Sequence, residues 1–140
     1  MARSEILREI ARLYIRQQRQ TVACCEGTSL TECWIVTELG RSGPLPLGEL
    51  ARAIGFDKSW TSRAVAGLVE EGIVSKEGDA DDGRKLRLSL TRKGETRFDA
   101  ISDGLDEHAR RVLQRIPSAQ RRAVQDALAL LQDALSAEVS

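Results

Sequence analysis

Two groups of residues in this chain have the types and spacing to do chemistry. The first is the run Lys58-Ser59-Trp60-Thr61-Ser62-Arg63. At helical periodicity, Thr61 turns inward with Ala64, Val65 and Leu68, which leaves Lys58, Ser59, Ser62 and Arg63 on the outer, N-terminal part. Hydroxyls and guanidinium groups there can donate to phosphate oxygens and base edges, and a helix N-terminus itself favours an anion. Trp60 has two readings, a contact to a base or sugar and a packing anchor against Phe56. The second group is Cys24, Cys25 and Cys33. Three thiols separated by a short glycine-containing loop suit a soft metal, a metalloid or redox chemistry. Cysteine is also a small buried hydrophobe, and Cys33 falls on the inward face of its segment. With a single histidine, His108, expected on a helix surface, hydrolytic triads and most metal-hydrolase schemes have almost nothing to build on. An enzyme is not expected, and no cofactor is required.

The elements that must position these residues follow from the pattern of apolar positions. Ile6, Ile10, Leu13 and Tyr14 recur at three- and four-residue spacing, with Arg8, Arg12, Arg16 and Arg19 largely on other faces, so residues 4 to about 25 form an amphipathic helix. Ser29 followed by Glu32 is a capping box for a second helix through Cys33, Val36 and Leu39, and residues 40–46 form a turn-rich connector. A short helix over residues 47–54 turns Leu50, Ala51 and Ile54 inward, with Ala51 facing Gly55 to let the next helix approach. Asp57 caps that next helix, and Gly72 ends it. Residues 73–76 and 86–90 are two short strands around a polar, glycine-bounded hairpin tip. Thr91 caps a long helix to about residue 116, weakened by Gly94 and Gly104. After Pro117 comes a last helix with Val124, Leu128, Leu131 and Leu135 in one stripe.

This order is mainly α with a small β-hairpin: a winged helix-turn-helix over residues 45–91, flanked by terminal helices. The second of two short helices joined by a tight turn is the one that lies in the DNA major groove, and Arg84 and Lys85 near the hairpin tip can reach the adjacent minor groove. Net charge is zero, but it is unevenly spread: residues 41–93 carry ten Lys/Arg against eight acids, and residues 1–25 carry five Arg against two Glu. Phosphate contacts act over roughly 8–10 Å, so a local basic face suffices. No apolar run approaches the ~20 residues of a membrane span, and the N-terminus passes directly into an amphipathic pattern, so a cytoplasmic chain without a secretory signal is expected.

Several motifs, in order, carry a resemblance to a known family. The run from Gly48 to Arg63, the strand approach Glu71-Gly72-Ile73-Val74, the wing Asp82-Gly83-Arg84 and the exit Leu88-Ser89-Leu90-Thr91-Arg92-Lys93-Gly94 resemble the MarR family of regulators. The resemblance implies a homodimer whose first and last helices interlock, so that two winged lobes meet successive major grooves of a near-palindromic double-stranded operator. It also implies repression, relieved by a small molecule, metal or oxidant. The wing Asp82 is then expected to orient Arg84. Trp60 departs from the small polar residue that the family more often has, and Asp79, Asp81 and Asp82 make this wing unusually acidic.

The expected division is therefore a helical dimerisation region, residues 1–27 and 95–140, and a DNA-binding lobe, residues 28–94. A winged helix that binds only protein is the alternative; it gives no reason for Ser62, Arg63 and Arg84 on the groove side. If the thiols sense, a Cys24→Ser/Cys25→Ser/Cys33→Ser triple variant is expected to stay on DNA when a thiophilic metal, metalloid or oxidant releases the wild type. Release identical to the wild type in gel-shift titrations assigns the cysteines to packing.

Overall fold

The structure is a computed structural model that describes residues 3–22, 29–78 and 86–139. Its elements are α1 (Arg3–Val22), α2 (Leu30–Ser42), β1 (Leu45–Pro46), α3 (Leu47–Ile54), α4 (Lys58–Glu70), β2 (Val74–Gly78), β3 (Leu86–Leu90), α5 (Arg92–Gln114), a 3-10 turn (Ser118–Gln120) and α6 (Arg121–Val139). Contacts divide the chain into two compact units, Met1–Leu105 and Asp106–Ser140.

In the first unit the expected caps are in place. Ser29 Oγ accepts from the Glu32 amide at 3.2 Å, Asp57 Oδ1 from the Trp60 amide at 2.8 Å, and Thr91 Oγ1 from the Gly94 amide at 3.0 Å. Each satisfies an amide that the helix start would otherwise leave unbonded. The core is built by Val22, Leu30, Cys33, Ile35, Val36 and Leu39 from the first two helices, and by Leu50, Val65, Leu68, Ile73, Val74, Leu88 and Ile101 from the rest. On α1 most apolar residues stay outside it: Ile6, Ile10, Leu13 and Tyr14 are exposed. On the polar side of that helix, the Arg12 guanidinium hydrogen-bonds Glu9 and holds its carboxyl below the usual carboxylate range.

The sheet has a third strand that the sequence did not suggest. Residues 45–46 lie within the expected connector, yet Leu45 pairs with Leu88 and Pro46 with Arg87, so β3 is the central strand in the order β1-β3-β2. Two residues carry too little periodicity to announce a strand, and Pro46 can sit there because β1 is an edge strand. In the hairpin, Val74 pairs with Leu90, Lys76 with Leu88 and Gly78 with Leu86. The face that buries Val74 and Leu88 runs on to Leu86, which is 52% exposed. The hairpin therefore outruns the core beneath it.

Three glycines act differently from the sequence expectation. Gly40 does not end α2. The helix continues to Ser42, and the Phe98 ring lies where a Gly40 Cβ would be, with ring carbons 2.2–2.6 Å from that position. Gly55 adopts φ 81° and ends α3 in the left-handed region; a Cβ there would meet nothing within 4 Å, so its role is backbone conformation and not close approach. Gly94 does not weaken α5: it lets the first turn of the helix abut the end of the preceding strand approach, where a Cβ would stand 2.1 Å from the Ile73 carbonyl oxygen. That carbonyl also accepts from the Thr91 amide at 3.0 Å.

In the second unit α5 ends at Gln114, where the carbonyls of Gln114 and Ile116 accept from the Arg121 side chain at 3.0 and 2.9 Å. This side-chain cap turns the chain through Pro117 into α6. His108 is buried, 7% exposed, and does not occupy the helix surface expected for it. An imidazole has enough apolar surface for that. On α6, Leu128, Leu130 and Leu135 are exposed, Leu130 at 71%.

Gly94→Ala is expected to cost about 1–3 kcal/mol, because the new methyl overlaps backbone that cannot move aside. Gly104→Ala, in the same helix, meets only Thr21 Cγ2 at 3.6 Å and is expected to stabilise by up to about 1 kcal/mol. Thermal melts of the two variants should move in opposite directions. A Gly94→Ala protein as stable as the wild type would contradict the close approach.

Candidate nucleic-acid interface

The candidate site is built on α4, and burial decides which side of that helix is available. Thr61, Val65 and Leu68 recur at four- and three-residue spacing, and all three are buried against the core. Thr61 is polar, but its hydroxyl donates to the Asp57 carbonyl at 2.8 Å, so its burial leaves that donor satisfied. The opposite face is consequently Ser59, Arg63 and Ala66, all exposed, with half-buried Ser62 on one flank and half-buried Trp60 on the other. Lys58 is exposed at the first position of the helix.

The sequence reading located Lys58, Ser59, Ser62 and Arg63 on this outer side, and the structure brings them together there. It did not single out Ala66 or Gly67, which are also exposed. These small residues about two turns beyond Ser59 leave room for close approach to the helix, and the signal was available in the same period that placed Arg63. Glu70, exposed at the C-terminal end, sets a negative charge where a phosphate would be repelled. Contact with an anionic partner is thereby directed to the N-terminal half, where the partial positive charge of the helix also lies.

Trp60 stacks on Phe56, with ring centroids 4.6 Å apart and an interplanar angle of 24°. Phe56 in turn stacks on Trp34 of α2 at 5.6 Å and 29°. Sequence reasoning linked Trp60 to Phe56 and missed Trp34, which lies 22 residues before Phe56 and is joined to it only by the tertiary fold.

The wing residues Asp82, Arg84 and Lys85, and the thiols Cys24 and Cys25, lie outside the described residues. Cys33 is 1% exposed within the core cluster. Among the described residues no group of three or more His, Cys, Asp or Glu side chains could hold a metal ion, and no helix is long and apolar enough to cross a membrane. A cavity of about 410 Å³ opens between the end of α2, β3 and the first turns of α5, lined by Leu39, Gly40, Pro44, Leu90, Glu95 and Phe98, among others.

Two short helices joined by a left-handed glycine turn, with the second presenting donors outward and a protruding hairpin directly after it, define a winged helix-turn-helix of the kind that binds DNA. A family model described as the MarR family matches residues 26–85, the stretch that holds the helix-turn-helix. The HTH-type transcriptional regulator BilQ of Clostridium symbiosum is 27% identical over 117 residues, which span 84% of this chain and 78% of that protein. A MarR mutant from E. coli superimposes with a TM-score of 0.85 over 94% of this chain and 97% of its own, at 11% identity. NadR, solved with 4-hydroxyphenylacetate, gives 0.74 over 94% and 92%, at 21% identity. At those identities the two structures establish the fold. The family and its relatives are transcription regulators and not enzymes.

Proposed function

We propose that this regulator is a sequence-specific repressor that binds a near-palindromic operator in double-stranded DNA as a homodimer, in the cytoplasm. The observation that carries the reading is the outward face of α4: Ser59 and Arg63 stand exposed beside the capped start of the helix, and the face opposite them is sealed into the core. Serine and arginine at that end of a recognition helix can donate to base edges and to the flanking phosphates. Lys58 and Ser62 supply backbone contacts, and Arg84 and Lys85 of the wing, with Asp82 as support, reach the neighbouring minor groove.

Dimerisation is assigned to residues 1–27 and 95–140. The support is apolar surface that a lone chain leaves in water, Ile6 and Ile10 on α1 and Leu128, Leu130 and Leu135 on α6. Release from the operator is assigned to an effector. A small molecule is supported by the cavity of about 410 Å³, a size that accommodates one, and by the ligand bound to NadR. A metal, metalloid or oxidant acting at Cys24, Cys25 and Cys33 is the other route.

Arg63→Ala is expected to abolish discrimination between operator and random duplex, with a loss of about 1–3 kcal/mol if the guanidinium reads a base edge. Arg84→Ala should weaken binding to a smaller degree, and both proteins should melt like the wild type. Fluorescence anisotropy on a selected palindrome measures this directly. Two variants that bind as the wild type does would remove α4 and the wing from the interface. Light scattering at micromolar concentration should give twice the chain mass; a monomer there would overturn the dimer.

A further inference from the structure

Both tryptophans and one of the two phenylalanines of this chain form a single stack at the start of α4. At its inner end Trp34 packs against the core cluster. Phe56, in the turn between α3 and α4, is the middle ring. Trp60 is the outer ring, and its own amide is held by Asp57 Oδ1 at 2.8 Å. The first turn of α4 is thus pinned twice, through the backbone by a cap and through a side chain by the stack.

Trp60 is half-buried and sits one turn from Arg63, on the flank of the exposed Ser59–Arg63 face. Its position therefore offers a rigid apolar surface beside hydrogen-bond donors. In the major groove the apolar group that base pairs display is the 5-methyl of thymine, and apolar side chains distinguish thymine by packing on it. A ring whose two torsions are already fixed loses little conformational freedom on making that contact.

We propose that Trp60 is a specificity-determining residue that packs on a thymine methyl in each half-site, and that Trp34 is the positioning residue that sets its angle through Phe56. The proposal rests on the DNA-binding reading above and assigns one base preference within it. Phosphate and hydrogen-bond contacts from Ser59, Ser62 and Arg63 give no reason for a methyl group to matter, so the methyl is the discriminating probe.

The test uses the whole protein and a duplex that it selects from a random-sequence pool. Each thymine is replaced in turn, in both half-sites, by deoxyuridine, which lacks only the methyl. One position should weaken wild-type binding about fourfold per half-site, the effect of burying one methyl group. That penalty should vanish in Trp60→Ala, shrink in Trp34→Ala and return in Trp34→Phe, whose ring can still stack. In Trp34→Phe the sole remaining tryptophan is Trp60, and its emission should change on binding the thymine duplex more than on binding the deoxyuridine duplex. The scan on wild-type protein needs no variant to fold. A protein that selects no duplex overturns the DNA-binding reading itself. One that selects a duplex but is indifferent to deoxyuridine at every position, or whose penalty survives Trp60→Ala, overturns this assignment alone.

Discussion

The burial of Thr61, Val65 and Leu68 is the constraint on which the rest of the site depends. A helix with one face sealed has its opposite face chosen for it, and here that opposite face holds Ser59, Arg63 and Ala66. The seal forms because α3 meets α4 through Leu50 and Ala51, both buried, across the turn that Gly55 closes in a left-handed conformation. Asp57 then begins α4 at a defined residue by accepting from the Trp60 amide. Rotation of α4 by one residue would bury Ser62 and expose Val65, losing a fully buried valine, on the order of 1.5–3 kcal/mol. The orientation of these outward side chains is thus a consequence of core packing and not of any contact they make among themselves.

The hairpin and α5 are tied to that helix at one short segment. Gly72 and Ile73 lead from α4 into β2, the Ile73 carbonyl accepts from Thr91, and Gly94 brings the first turn of α5 against the same carbonyl. Thr91 also donates its hydroxyl to the Gly72 carbonyl. Lys93 donates to the Glu71 carbonyl at 3.0 Å, and Arg97 lies 3.3 Å from the Glu71 carboxylate. These exposed polar contacts contribute little individually. Together with the buried Ile73 they hold the start of β2 at a defined distance from α4.

Much of this was legible in the sequence, and the division follows the range of the interactions. Ser29, Asp57 and Thr91 were readable as caps because a cap is satisfied within three residues. The inward set of α4 was readable because its period is local. Gly40 was read as the start of a connector and Gly94 as a weak point in α5, because their neighbours, Phe98 and the Ile73 carbonyl, are brought close only by tertiary packing. The same holds for Trp34 beneath Phe56, and for Leu45 and Pro46, whose strand exists only because β3 lies beside it. His108 was assigned to the surface on polarity alone, which says nothing about what packs over an imidazole. The wing tip and the first two cysteines lie outside the described residues, so Asp82, Arg84, Lys85, Cys24 and Cys25 stand on their sequence motifs.

The central claim is that DNA lies against the Ser59–Arg63–Ala66 face of α4. A photo-crosslinking amino acid placed at Ala66 tests it most directly, because a small exposed side chain can be replaced there without disturbing the core. The same probe at Ala100, exposed on α5, serves as the control. Irradiation of each protein on its selected duplex should crosslink position 66 to bases within the half-sites and leave position 100 uncrosslinked. Crosslinking from position 100 with none from position 66 would contradict the account.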